Sequence, residues 1–80
     1  MNQEHIKNRI FASIHATDPN AEAYLFGSRA RGDSGPDSDW DVLILVDEKK
    51  VTNEIEDKFR DKLYNIELET GQIISTFIYP

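Results

Sequence analysis

The chain predicts a small α/β or α+β layer of about three β-strands with helices packed on one face. Two segments place apolar residues at helical spacing, a continuous apolar run stands between them, and clusters of Gly, Pro, Asn and Asp mark the changes of element. With 80 residues there is room for a single domain over 1–80, near the lower limit for a self-sufficient core.

From Gln3 to His15, Ile6, Ile10, Phe11 and Ile14 fall on one face of an amphipathic helix, which Asp18-Pro19-Asn20 stops. Ala23-Tyr24-Leu25-Phe26 has the length and aromatic content of a buried strand, ended by Gly27-Ser28. Arg29-Ala30-Arg31 has room for a single helical turn, and Gly32 to Ser38 reads as a loop. Trp40 to Val46 is continuously apolar after Asp41, the pattern of a central strand covered on both faces. After the solvated turn at Asp47-Glu48-Lys49-Lys50, Asn53 with Glu56 resembles a capping box. It opens a helix whose stripe is Ile55, Phe59, Leu63 and Ile66, with Glu54–Lys58 and Glu56–Arg60 as i,i+4 pairs. Gly71 ends it, and Gln72 to Tyr79 reads as a third strand with an exposed edge.

Composition excludes several functions. The longest apolar run is far short of a bilayer span, and the start Met1-Asn2-Gln3-Glu4-His5 has no secretory character, so a cytoplasmic protein is expected. The absence of Cys rules out disulfides and thiolate metal sites within the chain. A net charge of -6 opposes capture by a nucleic-acid backbone. Even the local basic residues, Arg29 and Arg31, stand among Asp33, Asp37, Asp39 and Asp41. His5 and His15 lie on the first helix without matching ligands and read as surface residues, as does Tyr64 opposite its helix's apolar stripe. Arg31-Gly32-Asp33 spells an integrin-binding tripeptide, read here as coincidence in a chain with no export signal.

The chemistry concentrates between Gly27 and Asp41. Side chains alternate along a strand, so Asp39 and Asp41 share a side and Trp40 takes the other, facing the core. Leu43 and Leu45 continue the carboxylate face, which places the aspartates at the rim of the sheet. Two carboxylates so placed suit Mg²⁺, a hard cation that binds one or two carboxylates together with substrate phosphates. A solvated, charged strand entrance is the plainer reading of the pair taken alone, and an ordinary turn glycine and a cap are the plainer readings of Gly27 and Ser28. Together they describe more. Gly27 at a strand end lets backbone approach a ligand, Ser28 adds a hydroxyl and a following turn's N–H groups, and Arg29 and Arg31 offer charge to phosphate. A phosphate cradle beside a metal dyad is a nucleotide site.

Gly27-Ser28, a ten-residue spacer and Asp39-Trp40-Asp41 resemble the signature of nucleotidyltransferases related to DNA polymerase beta. The wording Gly-Ser-Arg-Ala-Arg-Gly and Ser-Asp-Trp-Asp is similar to the minimal nucleotidyltransferase (MNT) branch, and the order of elements fits the whole chain. The resemblance implies a nucleotidyltransferase-like mixed sheet and Mg²⁺-dependent (or Mn²⁺-dependent) transfer of a nucleoside monophosphate, AMP from ATP foremost, to a hydroxyl on a protein or small molecule. Asp39 and Asp41 would be catalytic metal ligands, and Gly27, Ser28, Arg29 and Arg31 would bind the nucleotide. It also implies a prokaryotic cytosolic setting and a possible helical HEPN-type partner in a toxin–antitoxin pair. The small core adds the expectation of a homodimer or hetero-complex. Active members carry a third carboxylate on the strand after the long helix, but Gln72 to Tyr79 contains no acid. Glu67 and Glu69 reach the rim only if that strand starts earlier. The alternative is therefore a weak or inactive nucleotide-binding regulatory module or antitoxin.

Overall fold

A computed structural model describes residues 3–32, Gly35 and residues 38–80; Met1, Asn2, Asp33, Ser34, Pro36 and Asp37 lie outside the described residues, and with them most of the expected loop from Gly32 to Ser38. The elements run α1 (Gln3–Thr17), β1 (Glu22–Phe26), α2 (Ser28–Arg31), β2 (Trp40–Leu45), α3 (Asn53–Thr70) and β3 (Ile74–Tyr79). The sheet has the order β1-β2-β3, with β1 antiparallel to β2 and β3 parallel to it. The mixture follows from the connections. A parallel neighbour needs a long crossover, and α3 is that crossover between β2 and β3.

The core lies between the helices and one face of the sheet. Alternation along β2 buries Trp40, Val42, Ile44 and the following Val46, which meet Ile6, Ile10 and Ile14 of α1, Phe59, Leu63 and Ile66 of α3, and Ile74 and Ile78 of β3. The expected stripes on both helices are the buried ones, with Phe11 and Ile55 packed at their margins. Arg9 and Glu69 join the helices by an ion pair of 2.6 Å that is open to solvent and adds little to stability.

Four local expectations are corrected. β2 is central but covered on one face alone: Asp41, Leu43 and Leu45 are only half-buried. β1 is a sheet edge rather than a buried strand, with Tyr24 48% and Phe26 42% exposed. Both follow from the number of layers, since two long helices cover a single sheet face. The cap of α3 is Thr52, whose hydroxyl accepts from the Ile55 N–H at 3.3 Å, rather than Asn53. Asn53 is itself the first helical residue. Finally, Arg60 does not pair with Glu56 but extends Nη2 to the Thr76 carbonyl at 3.4 Å.

That last contact, with the Ile74 N–H donated to Glu67 Oε2 at 2.9 Å, occupies part of the outer edge of β3. Side chains of α3 thus blunt a strand edge that would otherwise invite another strand.

Candidate active site

The register of the sheet sets the site. Phe26 of β1 and Ser75 of β3 stand on either side of Asp41, at the end of the sheet where β2 begins. Asp41 lies on the face that the helices leave open, and Asp39 precedes the first strand residue by one position. Trp40, between them in the chain, points into the core, opposite to Asp41, and is 2% exposed. The two aspartates are half-buried, so they are neither deep in the core nor fully solvated.

Gly27 brings the second half of the motif against this dyad. Its φ of 75° and ψ of -157° lie in a region essentially restricted to glycine. A Cβ built there would overlap Asp41 Oδ2 and crowd Asp41 Cγ. The chain therefore turns from β1 into α2 directly over the Asp41 carboxylate. The Gly27 carbonyl accepts the N–H groups of Ala30 and Arg31, and Gly32 closes the turn in the left-handed conformation by donating to Ser28 O at 3.0 Å. Ser28, at the start of the turn, is half-buried on the same rim.

The two arginines differ. Arg31 is exposed at the end of α2, whereas Arg29 is buried at 9% exposure. The Arg29 guanidinium stacks over the Trp40 ring, 4.5 Å from its centroid, and donates Nε and Nη2 to the Ser38 carbonyl at 3.1 and 2.6 Å. Nη2 also donates to Gln72 Oε1 at 3.0 Å. Arg29 thus directs its Nε and Nη2 donors into the fold, on the Trp40 side. A guanidinium survives burial only with its donors engaged. These contacts engage Nε and Nη2, and no buried side-chain polar atom lacks a partner among the described residues.

Among the described residues, β3 brings no third acid to the rim. Because β3 begins at Ile74, Glu67 remains on α3 with its carboxylate on the Ile74 N–H, and Glu69 pairs with Arg9. Ser75 is the β3 residue beside Asp41. Among the described residues no group of three His, Cys, Asp or Glu side chains stands together as a metal cage. A pair of carboxylates on an open rim nevertheless fits Mg²⁺, whose remaining positions go to water and phosphate oxygens. The Gly27 contact leaves room for backbone but not for a side chain next to Asp41.

Gln72 was not singled out by sequence reasoning. It is half-buried just before β3, and its Oε1 accepts from both Arg29 and the Trp40 indole N–H, the latter at 3.3 Å. Its only advance signal is a polar residue between a helix-ending glycine and an apolar strand. A cleft of about 440 Å³ with apolar, acidic and basic walls is lined by Glu4, Lys7, Phe11, Tyr24, Arg29 and Trp40 among others, and neither aspartate borders it. Among the described residues, no helix is long and apolar enough to cross a membrane.

Comparison with known proteins agrees with this geometry. No curated protein sequence matches the chain. In fold it is similar to a solved structure described as a cytoplasmic RNA terminal U-transferase, with a TM-score of 0.51 and 22% identity. The similarity covers 81% of this chain but only 21% of that one, so the chain spans about a fifth of its neighbour's length. Residues 7–76 match the model of the nucleotidyltransferase domain family, a stretch that holds the glycine turn, both aspartates and all of the core helices' apolar stripes but Ile6. The small mixed sheet, the glycine turn seated on Asp41 and the family match over nearly the full length together establish that the chain belongs to the nucleotidyltransferase domain family.

Proposed function

We propose that the chain transfers a nucleoside monophosphate, AMP from ATP, to a hydroxyl of a protein or small molecule. The observation that carries this reading is the seating of Gly27 on the Asp41 carboxylate, which joins a phosphate-approach turn to a metal-binding dyad. Asp39 and Asp41 hold Mg²⁺ or Mn²⁺, which supplies charge neutralisation at the α-phosphate and for the departing pyrophosphate. Gly27 and Ser28 receive the triphosphate with backbone N–H groups and a hydroxyl, and the exposed Arg31 adds positive charge at the same turn. The acceptor oxygen forms a bond to the α-phosphorus, the bond to the bridging oxygen breaks, and pyrophosphate leaves. With no acid at Ser75, the acceptor's proton passes to water or to a phosphate oxygen, and the isolated chain turns over slowly. The net charge of -6 favours a protein or small-molecule acceptor over a nucleic-acid end.

The test is incubation of the chain with each α-labelled NTP and Mg²⁺, with and without cell extract. Label from ATP on a protein band or a small molecule is expected. Label on RNA would move the acceptor to nucleic acid, and binding without transfer to any acceptor would replace the enzyme by a regulatory module. In the same assay Ser75→Asp restores an acid beside Asp41 and is expected to raise turnover by about 10²-fold, the lower end of a general base's contribution. An unchanged rate would show that this register position is not where the missing acid belongs.

A second reading, as an antitoxin or regulatory subunit, draws support from the open sheet face. Tyr24, Phe26, Phe77 and Tyr79 are 42–54% exposed there, and the rings of Phe26 and Phe77 meet across β2 at 5.5 Å. Such a face is suited to burial against a second copy of the chain or a helical HEPN-type protein. Tyr79→Lys charges the end of the face far from Asp41. Light scattering at micromolar concentration is expected to show an associated parent chain and a monomeric variant. A parent that is monomeric and binds no partner ends this reading.

A further inference from the structure

We infer that Arg29 and Gln72 are positioning residues that hold Asp39 at the rim, with the Trp40 ring as the plate against which they are fixed. The inference rests on the nucleotidyl-transfer reading for its functional consequence and on the following geometry for its structural part.

The two aspartates are held by different means. Asp41 lies inside β2, between strands on both sides, and its backbone is set by the ladder. Asp39 precedes β2, so among the described residues the sheet holds it through its neighbour, where the Trp40 N–H donates to Ile73 O at 2.8 Å. On its other side the Ser38 carbonyl and the Asp39 N–H belong to one planar peptide unit. Two donors of Arg29 grip that carbonyl, at 3.1 and 2.6 Å. Fixing one end of the plane fixes the other, so a buried guanidinium supplies for Asp39 the restraint that strand pairing supplies for Asp41.

Arg29 is itself restrained from two directions. Its plane stacks on Trp40, and Nη2 is shared between Ser38 O and Gln72 Oε1. Gln72 Oε1 takes the Trp40 indole N–H as a second donor, and the Gln72 N–H donates to Thr70 Oγ1 at 3.2 Å, anchoring the residue at the end of α3. Arg29 also belongs to the turn that begins at Gly27. A single side chain therefore joins the nucleotide turn, the residue before the first aspartate and the start of β3. Outer partners of this kind set ligand orientation and carry about 10–100-fold in metal affinity.

The experiment uses Gln72→Met, which keeps length and removes the acceptor, and Gln72→Glu, which keeps an acceptor facing Arg29 and Trp40. In Gln72→Met the backbone order parameter of Asp39 is expected to fall from the rigid value of about 0.85 to below about 0.6, while Val42 and Ile44 stay rigid. Mg²⁺-dependent ATP affinity by calorimetry is expected to fall about tenfold with it. Gln72→Glu is expected to recover both. Loss of order spread evenly over Asp39 and the core, or an Asp39 that stays ordered in Gln72→Met, overturns the inference, as does a loss of order with unchanged affinity. Failure of the transfer reading shows itself separately, as no Mg²⁺-dependent ATP binding by the parent chain. In that event the order parameters alone decide whether Gln72 positions Asp39.

Discussion

Asp39→Asn and Asp41→Asn are each expected to abolish Mg²⁺-dependent ATP binding while leaving the melting temperature close to that of the parent chain. Asn has the size and shape of Asp, so the close packing of position 41 against Gly27 is retained. Among the described residues neither aspartate forms a salt bridge that supports the fold. What each substitution removes is one of two anionic ligands for a hard cation. The expected loss of affinity exceeds the roughly 100-fold upper limit associated with outer partners of metal ligands. Calorimetry with Mg²⁺ and ATP measures it, and thermal unfolding checks the fold. Unchanged affinity in both variants would falsify the dyad as the metal site.

Gly27→Ala is the second large effect, and it combines two physical causes. The positive φ of 75° with extended ψ costs a side chain on the order of 2 kcal/mol, about 10 °C in melting temperature for a domain of this size. The new methyl group also occupies the place of Asp41 Oδ2, so the carboxylate must rotate or the turn must lift. Binding of Mg²⁺–ATP should therefore fall at least tenfold beyond any effect of stability. Gly32→Ala is the matched control: it also has a positive φ, 81°, but no described residue stands within 4 Å of its added Cβ. That variant should lose about 1 kcal/mol of stability and keep parent affinity for the nucleotide. Equal affinities for the two glycine variants would remove the argument that Gly27 is needed by the site rather than by the turn.

Much of the fold was legible because helix and strand periods differ. Ile6, Ile10 and Ile14 on one helix and Phe59, Leu63 and Ile66 on the other are apolar at helical spacing, and those side chains make the core. Gly71, read as a helix terminator, has the left-handed conformation of one and donates its N–H to Glu67 O at 2.8 Å. The covering of β2 was not legible. Leu43 and Leu45 are as apolar as Val42 and Ile44, so the run reads as buried on both sides, while the helices reach one side only. The cap at Thr52 was displaced by one residue because Thr and Asn are both competent caps and stand side by side.

At the site, the sequence by itself determined which residues are candidates for the chemistry. Asp39, Asp41, Gly27 and Ser28 are separated by fixed chain distances, and the alternation of β2 sends Asp41 to one face and Trp40 to the other. Tertiary structure decided everything that depends on residues remote in the chain. Arg29 and Arg31 are chemically identical and two positions apart, yet one is packed on Trp40 with Ser38 and Gln72 while the other is exposed. The start of β3 at Ile74 likewise put Ser75 beside Asp41 and left Glu67 on α3. Local periodicity specifies the direction of a side chain relative to its own element. Strand register and the stacking of layers specify what that side chain meets, and those are properties of the whole chain.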